Sequence, residues 1–142
     1  MAKSATFSNE WLLLIFNGTA IPNIAANATT SPLANIYVAL HTADPTASGN
    51  QSTSEAAYTS YARVAVPRTT SGWVVSGNSV SPVSPISFPA GTGGTGTANY
   101  WSAGFAFSGA AMILYSGPVS PTIAMGSGVT PILSIATAIS EF

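Results

Sequence analysis

Few side chains in this sequence could do acid–base or nucleophilic chemistry. The single histidine is His41, with Asp44 and Glu55 following it and many serines elsewhere. Such residues could form a Ser-His-Asp hydrolase site or a histidine/carboxylate metal site. No G-x-S-x-G elbow, H-E-x-x-H helix or EF-hand spacing accompanies them. Because Asp44 precedes Pro45, we expect its side chain instead to fix a turn by accepting backbone N–H groups.

Two other patterns resemble functional motifs but lack necessary parts. Glycosidase chemistry needs two carboxylates held close together, and nothing in the spacing of the four acids brings two together. They are Glu10, Asp44, Glu55 and Glu141. The glycine-rich run 91–97 lacks the lysine and the following helix of a phosphate loop. We interpret this run as a hairpin tip or an assembly contact.

The aromatic residues could form a sugar-binding platform. They include the Tyr100-Trp101 pair, Trp73 and tyrosines 37, 58, 61 and 115. Aromatics that alternate along strands more often belong to a core or an interface, and we favour that interpretation. The sequence therefore predicts no catalytic, cofactor-binding or metal-binding residue.

The composition excludes two classes of partner. Only 5% of the 142 residues are charged, whereas about 25% is ordinary for a globular domain. Three basic residues cannot neutralise the phosphates of a nucleic-acid site or bind an anionic membrane. A net charge of −1 gives weak repulsion between copies, as suits a protein that functions within an assembly. The chain has no cysteine, and hence no disulfide.

One helix is predicted, over residues 8–17. Ser8 can cap its N-terminus, Glu10 would lie in the first turn, and Asn17 with Gly18 would end it. The helix is apolar on every side, so we expect one side to contact a partner. The predicted assembly interface comprises Phe7, Trp11, Leu12, Leu14 and Ile15. On this interpretation the rest of the chain would fold without residues 1–17.

After an irregular connector at 21–32, the apolar period becomes two, which is typical of half-buried strands. Short strands bounded by Gly, Pro, Ser or Asn are predicted at 35–41, 62–66, 72–76, 86–88, 100–107, 112–116, 122–125 and 131–138. Stretches 41–58 and 76–85 are interpreted as loops, the first of them long and exposed. We predict an all-β fold, a jelly-roll-type β-sandwich of about eight strands with one short N-terminal helix. The helix and connector would form an arm, residues 1–34, on a β-sandwich of residues 35–142 within one globular domain.

The segment 36–45, IYVALHTADP, resembles a family of small virion proteins of tailed bacteriophages, variously labelled tail-fibre-like or capsid cement proteins. The resemblance continues through YARVAV at 61–66, ISFPA at 86–90, YW at 100–101 and LYSG at 114–117. It implies a jelly-roll-type β-sandwich that bridges capsid subunits. This chain differs from the family at Tyr100, where the family tends to have a histidine. The difference affects a polar site that the family would share, and it does not affect the predicted fold.

The sequence thus favours a non-enzymatic capsid cement or decoration protein on the outer surface of the capsid. Its expected partners are the major capsid protein and copies of itself, with a dimer favoured over a trimer. The alternative is a tail-fibre or adhesin module that binds a host-surface glycan. A hydrolase has the weakest support.

Overall fold

The computed structural model describes residues 5–20 and 33–142, so the predicted connector at 21–32 lies outside the described residues. One helix and nine strands are described: α1 (Ala5–Asn17), β1 (Asn35–His41), β2 (Val64–Pro67), β3 (Trp73–Ser76), β4 (Ser79–Pro82), β5 (Ile86–Ser87), β6 (Thr95–Gly104), β7 (Ile113–Gly126), β8 (Ile132–Leu133) and β9 (Ile139–Ser140). The strands form sheets of order β2-β1-β6-β7, β3-β4-β9 and β5-β8. The predicted fold class is confirmed: the chain is mostly β, with one short helix, in antiparallel sheets consistent with an all-β sandwich.

Two compact units are distinguished along the chain. The first comprises the described residues up to 35 together with 66–85 and 133–142, and the second comprises 36–65 and 86–132. In the first unit, α1 packs on β3 and β4. The helix is therefore part of a packed unit with these strands, while the predicted boundary at residue 34 stays a prediction.

Strand β1 has the predicted limits, but several other predicted elements differ from the structure, among them β6, which spans Thr95–Gly104 where a strand over 100–107 was predicted. Strand β4 lies in the stretch 76–85 that was interpreted as a loop. Its serines alternate with Val80 and Pro82, which are buried, so one face of the strand is polar. The register Val75↔Val80 and Val80↔Ile139 places β4 between two neighbours. The serine- and proline-rich composition of this segment gave no strand signal. The strand is stabilised by pairing on both of its edges.

Strand β7 is continuous over 14 residues, where two strands were predicted. Pro118 and Pro121 lie between the two predicted strands. Because β7 is last in its sheet order, a proline without an N–H can be accommodated at Pro118 on the outer side of the ladder. Pro121 lies within 119–122, where the register between β6 and β7 shifts. The reverse holds for 131–138, where a strand of eight residues was predicted: β8 covers only Ile132–Leu133, and β9 follows the predicted strand at Ile139–Ser140.

The helix begins three residues earlier than predicted. Since α1 starts at Ala5, Ser8 is not its N-cap and Glu10 lies beyond the first turn. Ser8 is instead buried inside the helix. The predicted end at Asn17 is confirmed, and Gly18 adopts the left-handed conformation, with φ of 66°, that glycine tolerates best.

Arg68 completes the C-terminal end of α1. Its Nε donates to the carbonyl of Ile15, and its Nη2 donates to the carbonyl of Leu14 over 2.7 Å. The Thr19 N–H donates to the carbonyl of Leu13 over 3.1 Å. A cation at this end also opposes the partial negative charge of the helix dipole. The last turn of α1 contains no basic residue, so Arg68 supplies this charge from the segment between β2 and β3.

One face of α1 belongs to the core of the first unit. Leu12 and Phe16 are fully buried, and the ring of Phe16 contacts that of Trp73 edge to face with centroids 4.7 Å apart. Leu12 is thus unavailable to a partner, which corrects its place in the predicted interface. Trp11 is 39% exposed, whereas Leu14 and Ile15 are half-buried. Removing residues 1–17 would uncover Trp73, so we no longer expect that truncation to leave the β structure intact. The side chain of Phe7 lies outside the described part of the structure.

We expect Phe16→Ala to lower the free energy of unfolding by about 3–5 kcal/mol, because it opens a cavity beside Trp73. The matched control is Trp11→Ala on the exposed side of the same helix, which should cost less than half as much. Denaturant titration of both variants checks this. Equal losses in the two variants would contradict the assignment of Phe16 to the core.

Candidate functional site

The polar groups that could do chemistry are brought together in the second unit, where β1 pairs with β6. The antiparallel register sets His41 opposite Tyr100 and Ala39 opposite Ser102. His41 and Ser102 are therefore diagonal neighbours on one face. The distance from His41 Nε2 to Ser102 Oγ is 2.8 Å, and both residues are fully buried.

The second ring nitrogen of His41 is also bonded. His41 Nδ1 lies 2.8 Å from the carbonyl oxygen of Thr53. A carbonyl can only accept, so Nδ1 carries the proton and Nε2 of the neutral ring accepts from the Ser102 hydroxyl. The histidine thus links β1, β6 and the segment 42–62 that follows β1.

His41 and Ser102 resemble two members of a hydrolase triad. The arrangement differs from a triad in the third group and in the access of solvent to the serine. The group that orients His41 is a backbone carbonyl, whereas a triad uses a carboxylate. Asp44 accepts the Thr46 N–H over 2.8 Å, which confirms its predicted role in the turn. Ser102 Oγ is enclosed by the protein in this conformation and does not reach solvent. The geometry therefore serves to hold chain segments together.

Burial lowers the pKa of His41 below its ordinary value of 6.5, because the protonated ring loses hydration. The carbonyl of Thr53 and the charge of Glu55 oppose this shift, and the charge of Arg63 adds to it. The neutral ring is consequently the form that the fold stabilises.

A buried ion pair lies beside the histidine. Arg63 Nε is 2.6 Å from Glu55 Oε1, and Arg63 Nη2 donates to Glu55 Oε2 over 2.8 Å, so the pair is bidentate. The Arg63 side chain is 1% exposed and that of Glu55 is 18% exposed. The Tyr61 hydroxyl donates to Glu55 Oε1 and accepts the Leu40 N–H, each over 3.1 Å. Burial raises the pKa of the Tyr61 hydroxyl, which keeps it a donor.

Arg63 also holds the connection between β6 and β7. Its Nη1 donates to the carbonyl of Ala106 over 2.9 Å, and its Nη2 donates to the carbonyl of Gly109 over 2.8 Å. Gly109 has a φ of 81°, a conformation that favours glycine. One guanidinium thus satisfies a carboxylate and two loop carbonyls, which the single ammonium of a lysine could not do.

Gln51 makes a second connection to the same segment. Its fully buried amide donates to the carbonyl of Tyr37 over 2.9 Å and accepts the Ala106 N–H over 3.3 Å. Its own N–H donates to the carbonyl of Ala111 over 2.9 Å. The amide lies directly over Gly104, where an added Cβ would come within 2.2 Å of the Gln51 side chain. Only glycine at position 104 admits this contact.

These side chains form one buried polar network, defined by His41, Gln51, Glu55, Tyr61, Arg63 and Ser102. The sequence indicated His41 and Glu55 as groups that could do chemistry and Tyr61 only as an aromatic residue, and it did not point to Gln51, Arg63 or Ser102. The one available signal was that Glu55 and Arg63 are two of only seven charged residues, and so have few alternative partners. Gln51 and Ser102 carry no such signal among the many polar residues of the chain.

The other predicted patterns have structural roles. The glycine-rich run 91–97 is anchored at its start, where Gly91 is buried and its N–H donates to the carbonyl of Val129 over 2.8 Å. Most of the other residues of the run are exposed, and its last three belong to β6. Trp73 and Trp101 are buried, in agreement with the favoured interpretation that the aromatic residues belong to a core and not to a sugar-binding platform. Among the described residues, no group of three His, Cys, Asp or Glu could hold a metal ion, and no helix is long and apolar enough to cross a membrane.

Comparison with known proteins defines the class of protein. A family model described as podophage GP4 fiber I protein gp80 matches residues 2–137. This supports a structural component of a bacteriophage particle, in agreement with the resemblance to phage virion proteins but without indicating a capsid cement protein. The match extends over nearly the whole chain, and the chain belongs to the podophage GP4 fiber I protein gp80 family. No curated protein matches it.

Replacing Arg63 by methionine should lower the free energy of unfolding by about 3–5 kcal/mol, because Glu55 and two loop carbonyls would lose their donor. Arg63→Lys should recover only part of this loss. As a control, Thr92→Ala removes a hydroxyl bonded to the exposed Ser60 and should change stability by about 0.5 kcal/mol or less. Denaturant titration gives all three values. A fully stable Arg63→Lys variant would show that the bidentate geometry is unimportant.

Stability should also depend on the protonation of His41. Its pKa is lower in the folded than in the unfolded chain, so the unfolded chain binds the proton first as pH falls. The free energy of unfolding should therefore be highest above pH 6.5 and should decrease as pH falls below that value. Titrations between about pH 5.5 and 7.5 avoid the carboxylates. A His41→Gln variant should be less stable but should lack this decrease, and an identical decrease in the variant would contradict the assignment.

Proposed function

We propose that this protein is a non-enzymatic structural subunit of the fibre apparatus of a phage particle. The observation that carries the proposal is the family match over residues 2–137, whose description names a fibre protein. It supports the tail-fibre alternative better than the capsid cement function that the sequence first favoured. The proposed location in the virion is accordingly the fibre, and not the outer surface of the capsid.

The way the protein uses its charges supports an assembly role. Arg63 and Glu55 neutralise each other in the interior, and Arg68 is bonded to the carbonyls at the end of α1. Residues 69–140 contain no charged side chain. Contacts made through this half of the chain must therefore depend on apolar burial and on hydrogen bonds. Such contacts suit permanent neighbours in a particle.

The buried polar network supports the same role. It holds residues 42–62 and 105–112, two long connections, in fixed positions through side chains that are largely buried. Fixed loops lose little conformational freedom when they join an assembly. Trp73 and Trp101 are buried, so the proposal is limited to a structural subunit and does not include the glycan binding of the alternative function. Its partners are other virion proteins and copies of itself.

Localisation on virions tests the proposal. Cryo-electron microscopy of intact particles, with the present structure fitted into the density, should place the protein in fibres at the tail. Quantitative mass spectrometry of the same particles should count few copies compared with the major capsid protein. Density over the surface of the head, with copies in the hundreds, would instead establish the capsid cement function.

Attachment to the particle should depend only mildly on salt. At about 1 M salt the Debye length is about 3 Å, so contacts between exposed charges are largely screened. With so few exposed charges, the protein should remain on virions washed at that salt concentration, as detected by immunoblotting of pelleted particles. Complete release would show that Asp44, Glu10 or another charged residue dominates the contact.

A further inference from the structure

Backbone strain is concentrated in segment 42–62 of the second unit. Among the residues that the structure describes, the non-glycine residues with positive φ are Thr46 at 60°, Ser54 at 51° and Ser60 at 80°, and all three lie in this segment. The left-handed region is unfavourable for residues that carry a Cβ, above all for a β-branched one such as Thr46. Such conformations persist only where surrounding contacts impose them. The segment therefore depends on the contacts that hold it.

The contacts that hold this segment meet at the end of β1. The Ala56 N–H donates to the carbonyl of Leu40 over 2.8 Å, and His41 and Glu55 form an antiparallel bridge beside it. The ring of His41 adds a side-chain bond at the same junction, since Nδ1 donates to the carbonyl of Thr53 over 2.8 Å. The histidine is thus bonded to the strained segment through one nitrogen and to β6 through the other.

Protonation of His41 conflicts with this arrangement. The Ser102 hydroxyl, 2.8 Å from Nε2, donates to the neutral ring, so a protonated Nε2 would place two donors against each other. The charges that act on the ring are those of Glu55 and Arg63. Glu55 is already bonded bidentately to Arg63. Two cations would then share one carboxylate in the interior, which is costly.

The elements around His41 also contribute two tyrosines. Tyr100 lies opposite His41 in the register of β1 and β6, and Tyr61 donates its hydroxyl to Glu55. Burial raises the pKa of Tyr61, which keeps its hydroxyl protonated. Neither phenol supplies a second carboxylate to a protonated ring.

We propose that segment 42–62 is an acid-released strap, which protonation of His41 frees from β1 and β6 while the sheet β2-β1-β6-β7 stays folded. Release lets the charged ring reach water and separates its charge from that of Arg63. It also relaxes the three residues with positive φ. The opening is local, and so differs from the decrease in overall stability predicted above. It would occur in a fibre subunit or a capsid subunit alike, and does not rest on the proposed function.

Hydrogen–deuterium exchange of the full chain, read by mass spectrometry at about pH 7.5 and about pH 5.5, tests the release without titrating ordinary carboxylates. Labelling times are scaled for the pH dependence of the intrinsic exchange rate. Peptides within 42–62 should then exchange about tenfold faster at the lower pH, which is one unit below the ordinary histidine pKa of 6.5. Peptides from β7 should keep their rates. An unchanged rate within 42–62, or an equal increase in β7, would overturn the proposal.

Two serine variants test the strain without altering a titratable group. Ser54→Gly relieves a positive φ at an exposed position, so it should slow exchange of the strap about threefold at both pH values. The matched control is Ser48→Gly, at an exposed serine of the same strap whose φ is not positive, and it should speed exchange instead. Faster exchange in both variants would show that strain does not favour the open form.

His41→Gln tests the trigger. The variant should show no difference in strap exchange between the two pH values, whatever its rate at the higher one, and a retained tenfold difference would overturn the proposal. Should this variant not fold, the natural chain supplies the measurement, because its single histidine gives one imidazole titration by NMR. The midpoint of that titration should coincide with the midpoint of strap opening, and different midpoints would contradict the assignment. Localisation on virions is unaffected by these results, so failure here is distinguishable from failure of the proposed function.

Discussion

The bidentate pair between Arg63 and Glu55 is the interaction on which the second unit depends. Arg63 comes just before β2 and Glu55 comes from the long segment after β1, while the same guanidinium donates to two carbonyls of the 105–112 loop. A buried charge is costly unless its partner and its remaining donors are satisfied. The position of each segment is therefore constrained by the others, since displacing one would leave a buried charge or carbonyl without its partner.

His41 and Gln51 extend this constraint to the sheet. The histidine bonds both to Ser102 in β6 and to the segment that carries Glu55, and the glutamine spans the space over Gly104. The residues that resemble catalytic machinery thus connect strands and loops. In a protein with seven charged residues, polar side chains used in this way specify one arrangement of loops whose composition alone would be compatible with many.

Both arginines are bonded to groups within the protein, and this affects the charge of its surface. Once Arg63 is paired with Glu55 and Arg68 is bonded to the end of α1, little charge remains for contacts with other molecules. Membership of a phage fibre protein family agrees with such a surface, because subunits of a particle meet permanent neighbours and gain from apolar and hydrogen-bonded contacts.

The sequence by itself determined the all-β class, strand β1, the end of α1 and the Asp44 turn, because each follows from local periodicity or from the preferences of a few adjacent residues. It could not reveal β4, since pairing with β3 and β9 outweighed the local signals of Ser and Pro. Nor could it reveal that β7 continues past Pro118 and Pro121, across a shift in its register with β6. Nor could it show that Leu12 and Phe16 face Trp73, since an all-apolar helix has no pattern that selects its buried side. The buried network was decided by tertiary structure alone, because residues as distant in sequence as His41 and Ser102 meet only through the register of β1 and β6.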